Sequence, residues 1–194
     1  MKRAEGNVCT LLVSPEICDN TPTNLVFIGF MGTGKTTVGK ILAKKCGLTF
    51  VDIDRFIMNK TGMDITSIFS RYGESYFRDL EENILAEVLL NNHQIISCGG
   101  GIVLRESNRK LLKKNAINCW LYNSPETSLS RIRNSNRPLL NTPNPVEKAK
   151  LLIQEREQLY SDVAHYKICT ENLSLNEITE IIYEEIYQPI IGKR

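Results

Sequence analysis

Three groups of residues in this 194-residue chain have types and spacings suited to chemistry. The first is GFMGTGKT, Gly29 to Thr36, which fits GxxxxGK[ST] and sits between an apolar run, Leu25–Ile28, and a helical pattern starting at Lys35. Glycines at such spacing let the backbone curl so that successive amide hydrogens converge on phosphate oxygens, and the positive end of the next helix adds to that field. Lys35 would reach the β- and γ-phosphates of a nucleotide, the Thr36 hydroxyl would ligate Mg²⁺, and Thr37 would add a donor. The motif specifies nucleotide binding, but GTPases, transport ATPases and small-molecule kinases all share it.

The second group is FVDID, with Asp52 and Asp54 two residues apart at the end of a candidate strand, where ligands sit in open α/β sheets. One carboxylate could act on metal-bound water and the other hold a hydroxyl for attack. The plainer alternative is a helix N-cap by Asp54 with Asp52 solvated. The third group is made of cations and glycines. In GESYFRDLEE, Arg78 and Glu81 can meet across one helical turn, so the acid could fix a guanidinium for bidentate capture of a carboxylate; an ordinary exposed ion pair has the same spacing. Gly99-Gly100-Gly101 follows the apolar run QIISC directly, which suits a close backbone approach or simply a turn. Arg131, Arg133 and Arg137 lie in RIRNSNRPLL, where one could swing over phosphates on closure, and Arg156 stands in EREQLY, either a ligand or part of a solvated charged face.

These residues must be held by an alternation of short apolar runs and longer amphipathic stretches, the pattern of crossover units and a parallel sheet. The expected strands are Leu25–Ile28, Thr49–Val51, Gln94–Ser97, Ile117–Leu121 and Tyr166–Cys169. The expected helices are Lys35–Lys45, Ile53–Lys60, Ile65–Arg71, Ser75–Leu90, Glu106–Lys113, Glu126–Arg133, Val146–Val163 and Ser174–Tyr187. Residues 134–145, rich in Asn and Pro, read as a surface loop, and residues 1–23 as an irregular extension ahead of a single domain spanning 24–194.

Composition narrows the partners. A net charge of +2 without a basic cluster gives no footprint for nucleic acid. No apolar run approaches the roughly 20 residues that cross a bilayer, so no membrane is expected. Six cysteines without a CxxC pair read as reduced and buried, and the acids among the first residues argue against a transit peptide; a cytoplasmic location is expected.

Taken together, GFMGTGKTTVG, FVDID, IFSRYGESYFRDLE, GGG, RPLL and REQLYSDVA, in this order and spacing, resemble the shikimate kinase family from about Asn24 to the C-terminal helix. The resemblance implies an α/β fold, a nucleoside-monophosphate-kinase-like three-layer sandwich with a five-stranded parallel sheet, substrate-binding helices and a lid at about 134–145. It implies ATP:shikimate 3-phosphotransfer, with ATP as co-substrate, Mg²⁺ as cofactor and a monomeric protein. Residue by residue it makes Gly32, Thr33, Gly34, Lys35, Thr36 and Thr37 the phosphate loop, with Thr36 and Asp52 serving magnesium. Asp54 would bind the substrate hydroxyls and act as base or orienting group, with Lys35 and Arg137 the other catalytic groups. Arg78 and Arg156 would hold the carboxylate, Gly100 and Gly101 would contact the ring, Arg137 would reach the phosphates, and Glu81 would steady Arg78. Arg131, with Arg133 as the alternative, would cover the adenine. TENLSL stands where family members often carry a basic residue near the base, so no specific base contact is expected there.

Overall fold

The computed structural model describes residues 9–12, 22–132 and 142–190. Its strands are β1 (Cys9–Leu11), β2 (Leu25–Ile28), β3 (Thr49–Asp52), β4 (Gln94–Ser97), β5 (Ile117–Tyr122) and β6 (Tyr166–Cys169). The helices are α1 (Lys35–Cys46), α2 (Ile53–Thr61), α3 (Ile65–Val88), α4 (Glu106–Asn115), α5 (Pro125–Ile132), α6 (Pro145–Val163), α7 (Leu175–Ile182) and α8 (Gln188–Ile190), with a π-turn at Tyr183–Tyr187 between the last two. The sheet order is β1-β6-β5-β2-β4-β3; β2 to β6 are mutually parallel, and β1 runs antiparallel to β6.

The five expected parallel strands are therefore present. The sixth is a correction: part of the segment read as irregular joins the sheet edge, with Cys9 opposite Ile168 and Leu11 opposite Tyr166, and the Leu12 amide donates to the His165 carbonyl at 2.7 Å. Its alternation is only three residues long, too short to register as a strand by pattern.

Because β2 is covered on both faces, all four of its residues are apolar and fully buried. Val26 and Ile28 join the cluster built with α2, α3, α4 and α6, which includes Ile57, Leu85, Leu112 and Tyr160. Leu25 and Phe27 face the opposite layer, with Val38 and Leu42 of α1 and Ile178 and Ile182 of α7. Burying each such side chain contributes roughly 1.5–3 kcal/mol, and the two clusters clamp the central strand whose C-terminal end opens into the phosphate loop.

The two helices expected at 65–71 and 75–90 form one element broken at Gly73, where φ 82° and ψ 173° are not helical. A left-handed φ is cheap only for glycine, and the resulting bend aims the second half of α3, with Arg78 and Glu81 inward, across the sheet. No described helix is long and apolar enough to cross a membrane.

Candidate active site

The phosphate loop leaves β2 at the point where the strand order reverses, since β4 lies on one side of β2 and β5 on the other. Its shape depends on glycine. A Cβ at Gly29, φ 133°, would lie 2.1 Å from the Leu121 carbonyl oxygen, and one at Gly32, φ 78°, would lie 2.4 Å from that of Ser128. Thr33 is buried and its hydroxyl donates to the Phe30 carbonyl at 2.8 Å, so it shapes the loop from inside, whereas Thr37 is exposed on the cavity wall. The Lys35 ammonium is buried and donates to the carbonyls of Gly29 and Phe30 at 2.8 and 2.6 Å, folded along the loop that would hold the phosphates.

The Thr36 hydroxyl donates to Asp52 Oδ2 at 2.7 Å, with the Ser97 hydroxyl 3.2 Å away. Asp52 also caps α2, its Oδ1 accepting from the Arg55 amide at 3.1 Å, so the cap belongs to Asp52 and not to Asp54. The described residues hold no cluster of three or more His, Cys, Asp or Glu side chains arranged for a metal. One hydroxyl and one carboxylate nonetheless suit Mg²⁺, which prefers hard oxygen donors and takes most of its shell from water and substrate phosphates.

Above the loop lies a cavity of about 540 Å³ lined by Lys35, Thr36, Thr37, Asp52, Asp54 and Arg131, among others. A narrower pocket of about 70 Å³ adjoins it, lined by Arg78, Glu81, Gly101 and Arg156, with the apolar side chains Ile65, Phe69 and Phe77. Asp54, Met31, Gly99 and Gly100 line both, so Asp54 stands where the two spaces meet.

The pocket gathers charge that is almost wholly buried. Arg78 is 7 % exposed, Arg156 4 % and Glu81 0 %. Arg78 donates from Nη1 to Glu81 Oε2 at 2.7 Å, and from Nη2 and Nε to Glu74 Oε1 at 2.9 and 3.2 Å. A guanidinium has five N–H groups, so donors remain on Arg78 for a further acceptor. Burial works against its charge, yet Glu81 and Glu74 hold its pKa above the ordinary value. Burial likewise pushes Glu81 up to about 7; Arg78 pulls it down and Asp54 raises it. Among the described residues, Glu81 Oε1 and Arg156 Nε are buried without a hydrogen-bond partner, which in a native site marks groups that a ligand or water can satisfy. The glycine triplet makes room for this cluster. A Cβ at Gly101 would lie 2.3 Å from Arg78 Nη1, and one at Gly99 would lie 2.8 Å from Asp54 Oδ1 and 3.1 Å from Glu81 Oε1. Arg156 Nη1 and the Tyr160 hydroxyl both donate to the Gly100 carbonyl, at 3.2 and 2.5 Å. Burial pushes the Tyr160 phenol up to about 12, so it remains a donor at neutral pH.

Comparison with known proteins bears on the acceptor that such a cluster would receive. A family model described as shikimate kinase matches residues 31–187. The shikimate kinase of Thermodesulfovibrio yellowstonii is 46 % identical over 171 residues, which cover 88 % of this chain and 98 % of that one. The chain belongs to the shikimate kinase family. Among solved structures, that of the Acinetobacter baumannii shikimate kinase in complex with shikimate superposes with a TM-score of 0.82 at 38 % identity, covering 90 % of this chain and 96 % of the other. That of the Aquifex aeolicus shikimate kinase gives 0.74 at 30 % identity, covering 87 % and 99 %. The family carries out ATP-dependent phosphoryl transfer, in keeping with the phosphate loop and its lysine.

Most of the residues expected of a family member thus converge on two adjoining spaces. Arg133 and Arg137, and positions 134–141 of the expected lid, lie outside the described residues. Arg131 lines the larger cavity and donates to the Thr170 carbonyl at 3.1 Å. Leu173, Ser174 and Leu175 of the TENLSL segment line that cavity too, offering two leucines and a serine where family members often carry a basic residue. Sequence reasoning also passed over Glu74, Ser97 and Tyr160. Glu74 stands in the quoted GESYFR string four residues before Arg78, and Tyr160 four residues after Arg156, so helical spacing was a usable signal for both. Ser97 carried none, because it reaches Thr36 only through the pairing of β4 with β2. Cys98 lies beside the site but is fully buried, and burial together with Glu81, Asp52 and Asp54 holds its thiol well above the usual range.

Proposed function

We propose that this chain transfers the γ-phosphate of ATP to the 3-hydroxyl of shikimate, giving shikimate 3-phosphate and ADP, and that it works as a cytoplasmic monomer. The observation that carries the reading is the position of Asp54, on the wall between a nucleotide-sized cavity above the phosphate loop and a pocket whose charged lining is two buried arginines and a buried glutamate. Shikimate, a small ring bearing one carboxylate and three hydroxyls, matches this division. Its carboxylate would dock on Arg78 and Arg156, whose remaining N–H groups are the natural partners for it. The backbone of Gly100 and Gly101 would lie against the ring, and a side chain at Gly101 would collide with Arg78.

With the carboxylate anchored, the hydroxyl to be phosphorylated would lie at Asp54. Asp54 orients that hydroxyl and takes its proton as the oxygen bonds to the γ-phosphorus; the bond from that phosphorus to the bridging oxygen breaks, and the electron pair leaves with ADP. Lys35 would turn from the loop carbonyls to the β- and γ-phosphates, and Arg137 would approach them from the RPLL segment. Thr36 and Asp52 would hold Mg²⁺, which when bound offsets charge on the phosphate oxygens. Positioning supplies most of the acceleration, since this transfer asks little covalent chemistry of the protein.

The test is ADP release from ATP and Mg²⁺ with shikimate, gluconate, nucleoside monophosphates or no acceptor. Release dependent on shikimate alone is expected. Release with another acceptor would overturn the substrate, and release with none of them would overturn the phosphotransferase reading of this chain.

A further inference from the structure

The nucleotide cavity has a far wall that the phosphate loop does not build. It is made of α5, which carries Arg131, and of the segment after β6, which carries Leu173–Leu175. These pieces are distant in sequence and are stitched together at one carboxylate. Glu171 Oε2 accepts from the Ser124 amide at 2.8 Å, and Oε1 accepts from the Ser124 hydroxyl at 3.2 Å and from the Thr127 hydroxyl. The Ser124 hydroxyl in turn accepts from the Thr127 amide at 3.1 Å, capping α5 just before Pro125. On the neighbouring residue, the Thr170 hydroxyl and carbonyl take Arg131 at 3.4 and 3.1 Å. The Thr127 hydroxyl, then the Ser124 amide, hold the Glu171 carboxyl below its ordinary value, so the clamp is ionised at neutral pH.

We propose that Glu171 is a positioning residue for the adenosine end of the nucleotide: by fastening the start of α5 to the segment after β6, it presets the slot between Arg131 and Leu173–Leu175. The proposal rests on reading this cavity as the nucleotide site. Glu171 lines neither space and acts through the slot it fastens, so its influence should fall mainly on ligands that carry a base and sugar. Glu171 stands in the TENLSL string and Thr127 in no quoted motif, but the contact between them appears only once β6 lies beside β5.

The experiment is titration calorimetry of the full chain with ADP and, separately, with inorganic tripolyphosphate, for the wild type, Glu171→Gln and Thr127→Val. Gln keeps the shape but loses one acceptor oxygen and the charge. Glu171→Gln is expected to weaken ADP about ten-fold and Thr127→Val about three-fold, on the scale of one lost charge-assisted hydrogen bond or part of one. Tripolyphosphate affinity and the KM for shikimate should stay within two-fold, a split that a general loosening of the fold would not produce. Unchanged ADP affinity in both variants, or equal losses for ADP and tripolyphosphate, would overturn the proposal. If Glu171→Gln did not fold, Thr127→Val alone would decide it. A wild-type chain that failed to bind ADP would overturn the nucleotide reading itself, and the inference with it.

Discussion

The two halves of the site are built by different physics. The phosphate half is a contiguous stretch of chain in which backbone geometry does the recognising, and its side chains mostly brace the loop, as Thr33 and Lys35 do on the carbonyls of Gly29 and Phe30. The acceptor half is assembled from α2, α3, the glycine triplet and α6, and it recognises by buried charge held in partial balance. Shape errors should therefore destroy the first half, and charge errors the second.

The largest expected effect tests the shape side. Gly29→Ala places a methyl group 2.1 Å from the Leu121 carbonyl oxygen at φ 133°, a clash with backbone that no rotamer relieves. A loss of about 3 kcal/mol or more in urea unfolding, together with loss of ATP turnover, is expected. A normal unfolding midpoint would show that the loop is not fixed as described.

Next comes the wall between the halves. Asp54→Asn should lower kcat by about 10²–10⁴, the usual range for a lost general base, while the Kd for shikimate changes little. A kcat within a few-fold of wild type would leave Asp54 no part in the proton transfer.

A subtler effect separates the halves by pH. The folded chain holds the Glu81 proton up to about pH 7, above the ordinary value of 4.5, so the native state binds more protons than the unfolded one in that window. The stability contributed by this group is fully present below about 4.5 and is lost as pH rises through about 7. Glu81→Gln should flatten the pH dependence of the unfolding free energy between those limits, and an unaltered slope would place the titrating group elsewhere. The smallest effect lies at the base end, where Arg131→Ala should raise the KM for ATP roughly five-fold and leave that for shikimate unchanged.

The phosphate half was legible in the sequence because everything it needs is local. The motif, the strand before it and the helix after it occupy one short stretch, and the five parallel strands followed from apolar runs of the right length. The acceptor half was legible only in part. Arg78 and Glu81 announced themselves by helical spacing, but whether the pair was an exposed bridge or a buried clamp depended on Gly101 and on α6, 20 or more residues further on. The cap that was the plainer alternative for Asp54 belongs to Asp52, because the helix begins at Ile53, two residues earlier than a cap at Asp54 would require. β1 and Glu171 were illegible for one reason, since each gains its meaning from contacts with chain more than 40 residues away.

The carboxylate clamp is what makes the acceptor half a site for an acid. The measurement is a cycle of kcat/KM with shikimate and its methyl ester, for the wild-type chain and Arg78→Ala. If Arg78 pairs with that carboxylate, either change alone should cost about 10²-fold or more, and the two together should cost little beyond either one, because each removes the same contact. Losses that simply multiplied, or an ester turned over as well as the acid by the wild type, would contradict it.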